Sequence, residues 1–238
     1  MPLMRLDKLL GDLGIASRSE LRQMIKRGRV TVDGRAVTAP ETKVDSGSCI
    51  ALDGETLRYK SFRYYMMDKP AGVLSATEDS RQKTVLDLVS PEMRRMGLFP
   101  VGRLDKDTSG LLLLTNDGDF AHRVISPKSG IKKRYYARVE GELTERDREA
   151  FRQGLVLGDG TQCLPAELEL LGQGACLVTV MEGKYHQVKR MLAARGKPVL
   201  YLKRLAMGPL QLEVGLMPGQ CRLLTDQELM ALHSTCGL

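Results

Sequence analysis

The chain never spaces two cysteines as Cys-x-x-Cys. Its five, Cys49, Cys163, Cys176, Cys221 and Cys236, are scattered and odd in number. Neither a zinc site nor a disulfide framework is suggested by that pattern. Histidine is equally scarce, and His122, His186 and His233 have no ligand spacing, so metal binding is not expected. Long apolar runs are missing too, and none approaches membrane-spanning length. Met1 to Lys8 already carries Arg5, Asp7 and Lys8 where a secretion signal would need an apolar core. A reduced, cytoplasmic, soluble protein is the expectation. The glycine-rich spots form no dinucleotide fingerprint, and there is no Gly-Lys-Ser/Thr phosphate loop, no internal repeat and no low-complexity segment.

What is present is an ordinary globular composition. At 238 residues, 42% hydrophobic and 27% charged, the chain can bury a sizeable core. That length suits one large domain or a small one joined to a larger one. The net charge of +7 favours a polyanionic partner, a merely basic soluble protein being the plainer alternative.

Leu6, Leu9, Leu10 and Leu13 fall on one face of a helix over Met4 to Leu13, which Gly14 can stop. Ser17-Arg18-Ser19-Glu20 is a capping box for a second helix with Leu21, Met24 and Ile25 inward. Arg18, Arg22, Lys26 and Arg29 step by four, four and three, giving a basic stripe suited to successive phosphates. A merely solvated face is the plainer alternative. Gly28 ends the helix, and Val30 to Val37 reads as strand, Asp-Gly turn, strand.

Further on, Asp53-Gly54 sits between two short alternating runs, and Arg58 to Ser61 is a plausible linker. Arg63 to Met67 is a strand candidate, cut off by the turn signal Asp68-Lys69-Pro70-Ala71-Gly72. Thr84 to Val89 looks helical, and Ser90-Pro91-Glu92 opens another helix. Helices are expected over Asp119 to Ile125, from Thr144 to Gly154, over Gln187 to Arg195, and after the capping box Thr225 to Glu228. Strands are expected at Tyr135 to Val139, Ala166 to Leu170, Ala175 to Met181, Val199 to Leu202 and Pro209 to Val214. Separated helices among many strands point to an α+β fold on a mixed, largely antiparallel sheet.

The most informative stretch is Gly102-Arg103-Leu104-Asp105-Lys106-Asp107-Thr108-Ser109-Gly110, followed by Leu111 to Leu114. Four consecutive leucines bounded by turn residues fit a strand buried on both faces, although periodicity alone leaves helix open. Charges beside a buried strand are costly unless paired or used. Asp105 and Asp107 are therefore candidates for chemistry.

Two resemblances follow. Arg5 to Leu10, Ala16 to Glu20 and Gly28 to Gly34 resemble the αL RNA-binding domain shared by a small-subunit ribosomal protein and many RNA-modifying enzymes. Gly102 to Asp105 with Thr108, Gly110 and the leucines resembles the catalytic segment of the pseudouridine synthase family. Asp68 to Gly72, Lys133-Arg134-Tyr135 and Glu182 to Met191 support that likeness. Lys184 to Met191 is most similar to the branch acting on small-subunit (16S) ribosomal RNA; large-subunit siblings more often carry Asn-Arg at Tyr185-His186 and arginine at Lys189.

The resemblance implies an RNA-binding domain over residues 1–60 and a catalytic domain over 61–238. It implies isomerisation of a uridine to pseudouridine, without cofactor or metal. The partner would be 16S rRNA, free or in an assembly intermediate with ribosomal proteins, and the enzyme a monomer with no membrane association. Asp105 would be the nucleophile, Arg103 would enter the RNA stack vacated by the flipped uridine, Tyr135 would pack on the uracil, and Lys189 would pair with Asp105. His186 and Gln187 would join Arg103 and the basic stripe in binding substrate. A large-subunit sibling and a non-catalytic RNA-binding module are the rivals. Asp107 is the better candidate for a loop carboxylate bonded to backbone amides, and Tyr64 to Met67 for packing.

Overall fold

The computed structural model describes residues 3–236 except Ser46, Arg58, Lys60 and Ser61. The expected linker therefore lies largely outside the described residues. By internal contact the chain forms two compact units, Met1–Arg63 with Val89–Phe99, and Tyr64–Leu88 with Pro100–Leu238.

The first unit begins with β1 (Met4–Arg5) and α1 (Leu6–Asp12), then α2 (Arg18–Lys26). Ser17 caps α2 in the expected manner: its backbone N–H donates to Glu20 at 2.8 Å, and Glu20 N–H returns to the Ser17 hydroxyl. Strands β2 (Val30–Val32) and β3 (Arg35–Val37) form the Asp-Gly hairpin, with Asp33 and Gly34 both at positive φ. After β4 (Lys43–Val44), which pairs with β1, β5 (Ile50–Leu52) and β6 (Glu55–Leu57) complete a sheet of order β3-β2-β5-β6. Leu6, Leu9, Leu10, Leu21, Ile25, Val30 and Ile50 make its core. The short helix α3 (Pro91–Arg95), capped by Ser90, belongs to this unit although it lies far along the chain. Arg95 Nε donates to the Gly14 carbonyl, and a Cβ at Gly14 would sit 2.5 Å from the Glu92 carbonyl oxygen.

The second unit is built on β7 (Tyr64–Lys69), and the chain returns to it from α3 through β8 (Phe99–Pro100). Then come β9 (Ser109–Thr115), α4 (Gly118–Ile125), β10 (Lys133–Val139), α5 (Glu145–Gln153), β11 (Glu167–Gly172) and β12 (Ala175–Val180). Helix α6 (Gln187–Ala194), β13 (Val199–Met207), β14 (Leu210–Gln211), β15 (Cys221–Leu223) and α7 (Asp226–Cys236) finish the chain. The sheet runs β11-β12-β10-β13-β9-β7-β15, antiparallel at every step except β13 beside β9. All seven residues of β9 are buried, so the four leucines are a central strand. On one face Phe151 of α5 and Val188, Met191 and Leu192 of α6 pack over Ala137, Cys176, Val178 and Leu202.

Several boundaries depart from expectation. Asp68 and Lys69 are the buried end of β7, and the turn begins only at Pro70. Lys133 and Arg134 lie inside β10. Residues 85–88 form a 3₁₀ turn. Strand β13 runs on to Met207, while the strand expected over Pro209 to Val214 shrinks to two residues, and β15 was not anticipated. The extension of β13 crosses Lys203 and Arg204, whose charges are met across the sheet: Lys203 Nζ bonds Asp68 Oδ2 at 2.7 Å and Arg204 Nε donates to the Leu111 carbonyl at 2.7 Å. Charges partnered in this way do not end a strand, although Arg204 Nη2 and Asp68 Oδ1 are buried without a hydrogen-bond partner.

Candidate active site

Asp105 lies on the loop entering β9, and the chain fixes that loop from beneath. The Lys69 side chain is fully buried, and its ammonium donates to the carbonyls of Thr108 (2.9 Å), Pro70 (3.0 Å), Asp105 (3.1 Å) and Lys106 (3.4 Å). Burial lowers its pKa to about 8, against the pull of Asp105 and Asp107. On the other side of the loop Ser75 grips Leu104 twice: the Leu104 N–H donates to the Ser75 hydroxyl, which donates to the Leu104 carbonyl. The Gly72 N–H adds a bond to the Lys106 carbonyl. At Gly110, φ is +106° and a Cβ would lie 2.2 Å from the Arg204 carbonyl oxygen, so only glycine lets β9 and β13 approach here.

Facing the loop is the first turn of α6. Val188, Met191 and Leu192 bury its inner side, and Lys189, one residue round, projects toward the aspartates. Lys189 Nζ lies 3.1 Å from Asp105 Oδ2 and 2.5 Å from Asp107 Oδ1. Burial pulls the lysine pKa down, but its bonds to the two carboxylates outweigh that and raise it. The bond to Lys189 holds the Asp107 carboxyl below its usual range. His186 Nε2 stands 3.4 Å from Asp105 Oδ1. Arg103, Asp105, Tyr135, Glu182, His186 and Lys189 all line one open cleft. A planar ring half-buried in the core, a carboxylate and the cations of Arg103 and Lys189 thus meet in one cleft.

A family model described as RNA pseudouridylate synthase matches residues 63–194, and one described as the S4 domain matches residues 4–48. An uncharacterised RNA pseudouridine synthase of Bacillus subtilis is 46% identical over 235 residues, covering 97% of this chain and 98% of the relative. The chain belongs to the RNA pseudouridine synthase family. Ribosomal small subunit pseudouridine synthase A of Vibrio cholerae is 40% identical, covering 96% of this chain and 99% of the relative. Its namesake in Escherichia coli is 37% identical, covering 96% and 100%. A crystal structure of a pseudouridylate synthase superposes with a TM-score of 0.68 at 33% identity, covering 96% of this chain and 99% of the other.

The synthase cleft gathers six residues singled out from sequence: Arg103, Asp105, Tyr135, His186, Gln187 and Lys189. Gln187 departs from its expected role. It is buried, its Nε2 donates to Glu182 at 2.8 Å, and its Oε1 accepts from the Lys184 N–H at 3.0 Å. Its amide is committed to shaping the turn rather than offered to a ligand. Asp107 keeps the expected backbone bond, to its own N–H, and its carboxylate reaches Lys189 as well. Tyr64, Tyr65, Met66 and Met67 pack as expected, with the Tyr64 hydroxyl donating to Asp117 at 2.7 Å.

Sequence reasoning missed Lys69, Ser75 and Glu182 as parts of the site. Lys69 stood inside a quoted block but was read as turn, and nothing local marks Ser75. Burial tends to raise the Glu182 carboxyl, but its bonds to Lys184, the Leu164 N–H and Gln187 outweigh this and lower it.

The basic stripe lies in the S4 domain of the synthase. Arg18, Arg22 and Lys26 are exposed on α2, and Arg22 Nε also approaches Asp7 at 3.7 Å. Arg29 lies beyond the helix end, and its guanidinium is engaged by Asp53 through two hydrogen bonds. It is thereby drawn away from the stripe, which is three cations long on the helix.

Proposed function

We propose that this synthase converts one uridine of small-subunit (16S) ribosomal RNA to pseudouridine, with Asp105 as the nucleophile. The observation that carries the reading is Lys189 Nζ at 3.1 Å from Asp105 Oδ2 in a cleft shared with Arg103 and Tyr135. A nucleophilic carboxylate closed over by a base needs a cation within about 4–6 Å to remain ionised, and Lys189 meets that requirement.

A base inside structured RNA must leave its stack before its glycosidic bond is reachable, at a cost of about a few kcal/mol. Arg103, exposed beside the cleft, is suited to fill the vacated place. Tyr135 offers a flat face for the uracil, worth roughly 1–3 kcal/mol in single-strand binders. The rearrangement is balanced within the nucleotide. The N1–C1′ bond breaks, the C5–C1′ bond forms, C5 gives up a proton and N1 gains one. Attack by Asp105 on the ribose or on the base would both serve, and neither route calls for a cofactor.

The small-subunit choice rests on the wording from Lys184 to Met191 and on the relatives named for that subunit. We take it to act in the cytoplasm as a monomer on rRNA; no helix among the described residues is long and apolar enough to cross a membrane. Reverse-transcription mapping of both large rRNAs from a deletion strain tests the reading. Loss of one pseudouridine from 16S rRNA is expected; loss from the large-subunit rRNA alone would assign the enzyme to the sibling branch.

A further inference from the structure

At the edge of the cleft lies an aromatic pair that the chemistry above does not use. Tyr185 is 75% exposed, and its ring stacks on the His186 imidazole with centroids 3.8 Å apart and planes 19° from parallel. His186 holds a left-handed backbone, φ 48°, at the N-terminus of α6. A non-glycine residue keeps that conformation only where its surroundings impose it. The consequence is a fixed imidazole with Nε2 turned to Asp105 and one face under the phenol. The other face of Tyr185 is open to water. Arg190 Nη1 reaches the Tyr185 carbonyl at 3.4 Å, and Arg103 and Lys184 line the adjoining cleft.

We propose that the open face of Tyr185 is a stacking platform for a nucleobase adjoining the uridine held at Asp105. Base, phenol and imidazole then form three layers ending against the nucleophile. The inference rests on the reading of the Asp105 cleft as an RNA site and extends it to a neighbouring nucleotide. Extruding a uridine leaves its neighbours short of stacking, and an exposed ring beside the cleft restores part of it. An aromatic face near the exposed Arg103, with Arg190 and Lys184 paired to Asp159 and Glu182, suits a polyanion with planar groups better than an apolar protein surface. Every base has such a face, so the platform tolerates any sequence at that position. A base resting on Tyr185 also steadies His186 beside Asp105.

The chain contains no tryptophan, so Tyr185→Trp in the full-length enzyme installs its one indole. This variant is titrated with a mixed-sequence RNA ten-mer and with an abasic ribose-phosphate ten-mer. The platform requires indole quenching by the base-bearing oligomer and not by the abasic one. Tyr185→Ala should weaken binding of the base-bearing oligomer roughly tenfold and leave abasic binding unchanged, with Tyr185→Phe close to wild type. Unquenched indole, or equal loss toward both oligomers, overturns the proposal. Wild-type pseudouridine formation on rRNA is measured in parallel. Turnover without base-dependent quenching sinks the platform alone, whereas quenching without turnover sinks the reading of the cleft and with it the assignment of the stacked base as neighbour of a flipped uridine.

Discussion

Lys189 bridges two carboxylates, reaching Asp105 at 3.1 Å and Asp107 at 2.5 Å from a single ammonium. Asp107 is mostly exposed and Asp105 mostly covered, so the two ends of the bridge differ in environment. The inner end faces the cleft, and the outer one tethers the lysine.

Removing the ammonium and removing the tether therefore have different consequences. Lys189→Met leaves two carboxylates facing each other, and kcat/KM should fall by about 100-fold or more. Asp107→Asn leaves Lys189 to Asp105 alone and should cost less than about tenfold. Steady-state rates of pseudouridine formation by the two variants check this; equal losses would make the bridge a single structural unit.

The Lys69 cage predicts an alkaline limb. Four carbonyls surround an ammonium with three N–H groups, and above pH about 8 the group becomes an amine with two. The Asp105 loop then loses part of its support, and activity should fall reversibly through that pH. Stability should move the other way. A lysine pKa lowered from 10.5 to about 8 means the folded chain sheds this proton before the unfolded chain does. Its contribution to stability is thus complete above 10.5 and lost as pH falls through 8. Activity and denaturant midpoint measured over pH 7–9.5 should diverge, activity falling while the contribution from Lys69 rises.

In the S4 domain, Arg18, Arg22 and Lys26 are the exposed cations of the stripe along α2, Arg22 also near Asp7 and Arg29 held by Asp53. Replacing the three together with alanine should flatten the slope of log affinity against log salt by about 2, the effect of three single-strand phosphate contacts. Arg29→Ala alone should change the slope by well under 1. Filter binding to rRNA at several salt concentrations measures both. An unchanged slope in the triple variant would make the stripe a solvated face.

The parts of this protein that were legible in its sequence are those set by local periodicity and capping. Leu111 to Leu114 announced a buried strand, Ser17 and Glu20 a helix start, and Val188, Met191 and Leu192 the inner face of α6. The meeting of Lys189 with the aspartates was legible only through family resemblance, because Lys189 and Asp107 are 82 residues apart and no local pattern links them. The Lys69 cage was hidden for another reason. Pro70, Ala71 and Gly72 dominate the local signal, and a cation satisfied by carbonyls from a distant loop leaves no trace in hydropathy. Strand β13 was cut short for a related reason, since Lys203 and Arg204 read as surface until their partners on β7 and β9 are known.

The most direct test concerns one oxygen pair. Asp105→Asn preserves the shape of the side chain and removes its charge. Wild type and variant are incubated with uridine-labelled rRNA, with binding and pseudouridine formation measured on the same samples. The account predicts that the variant still binds RNA and forms no pseudouridine. Turnover by the variant equal to wild type would contradict it.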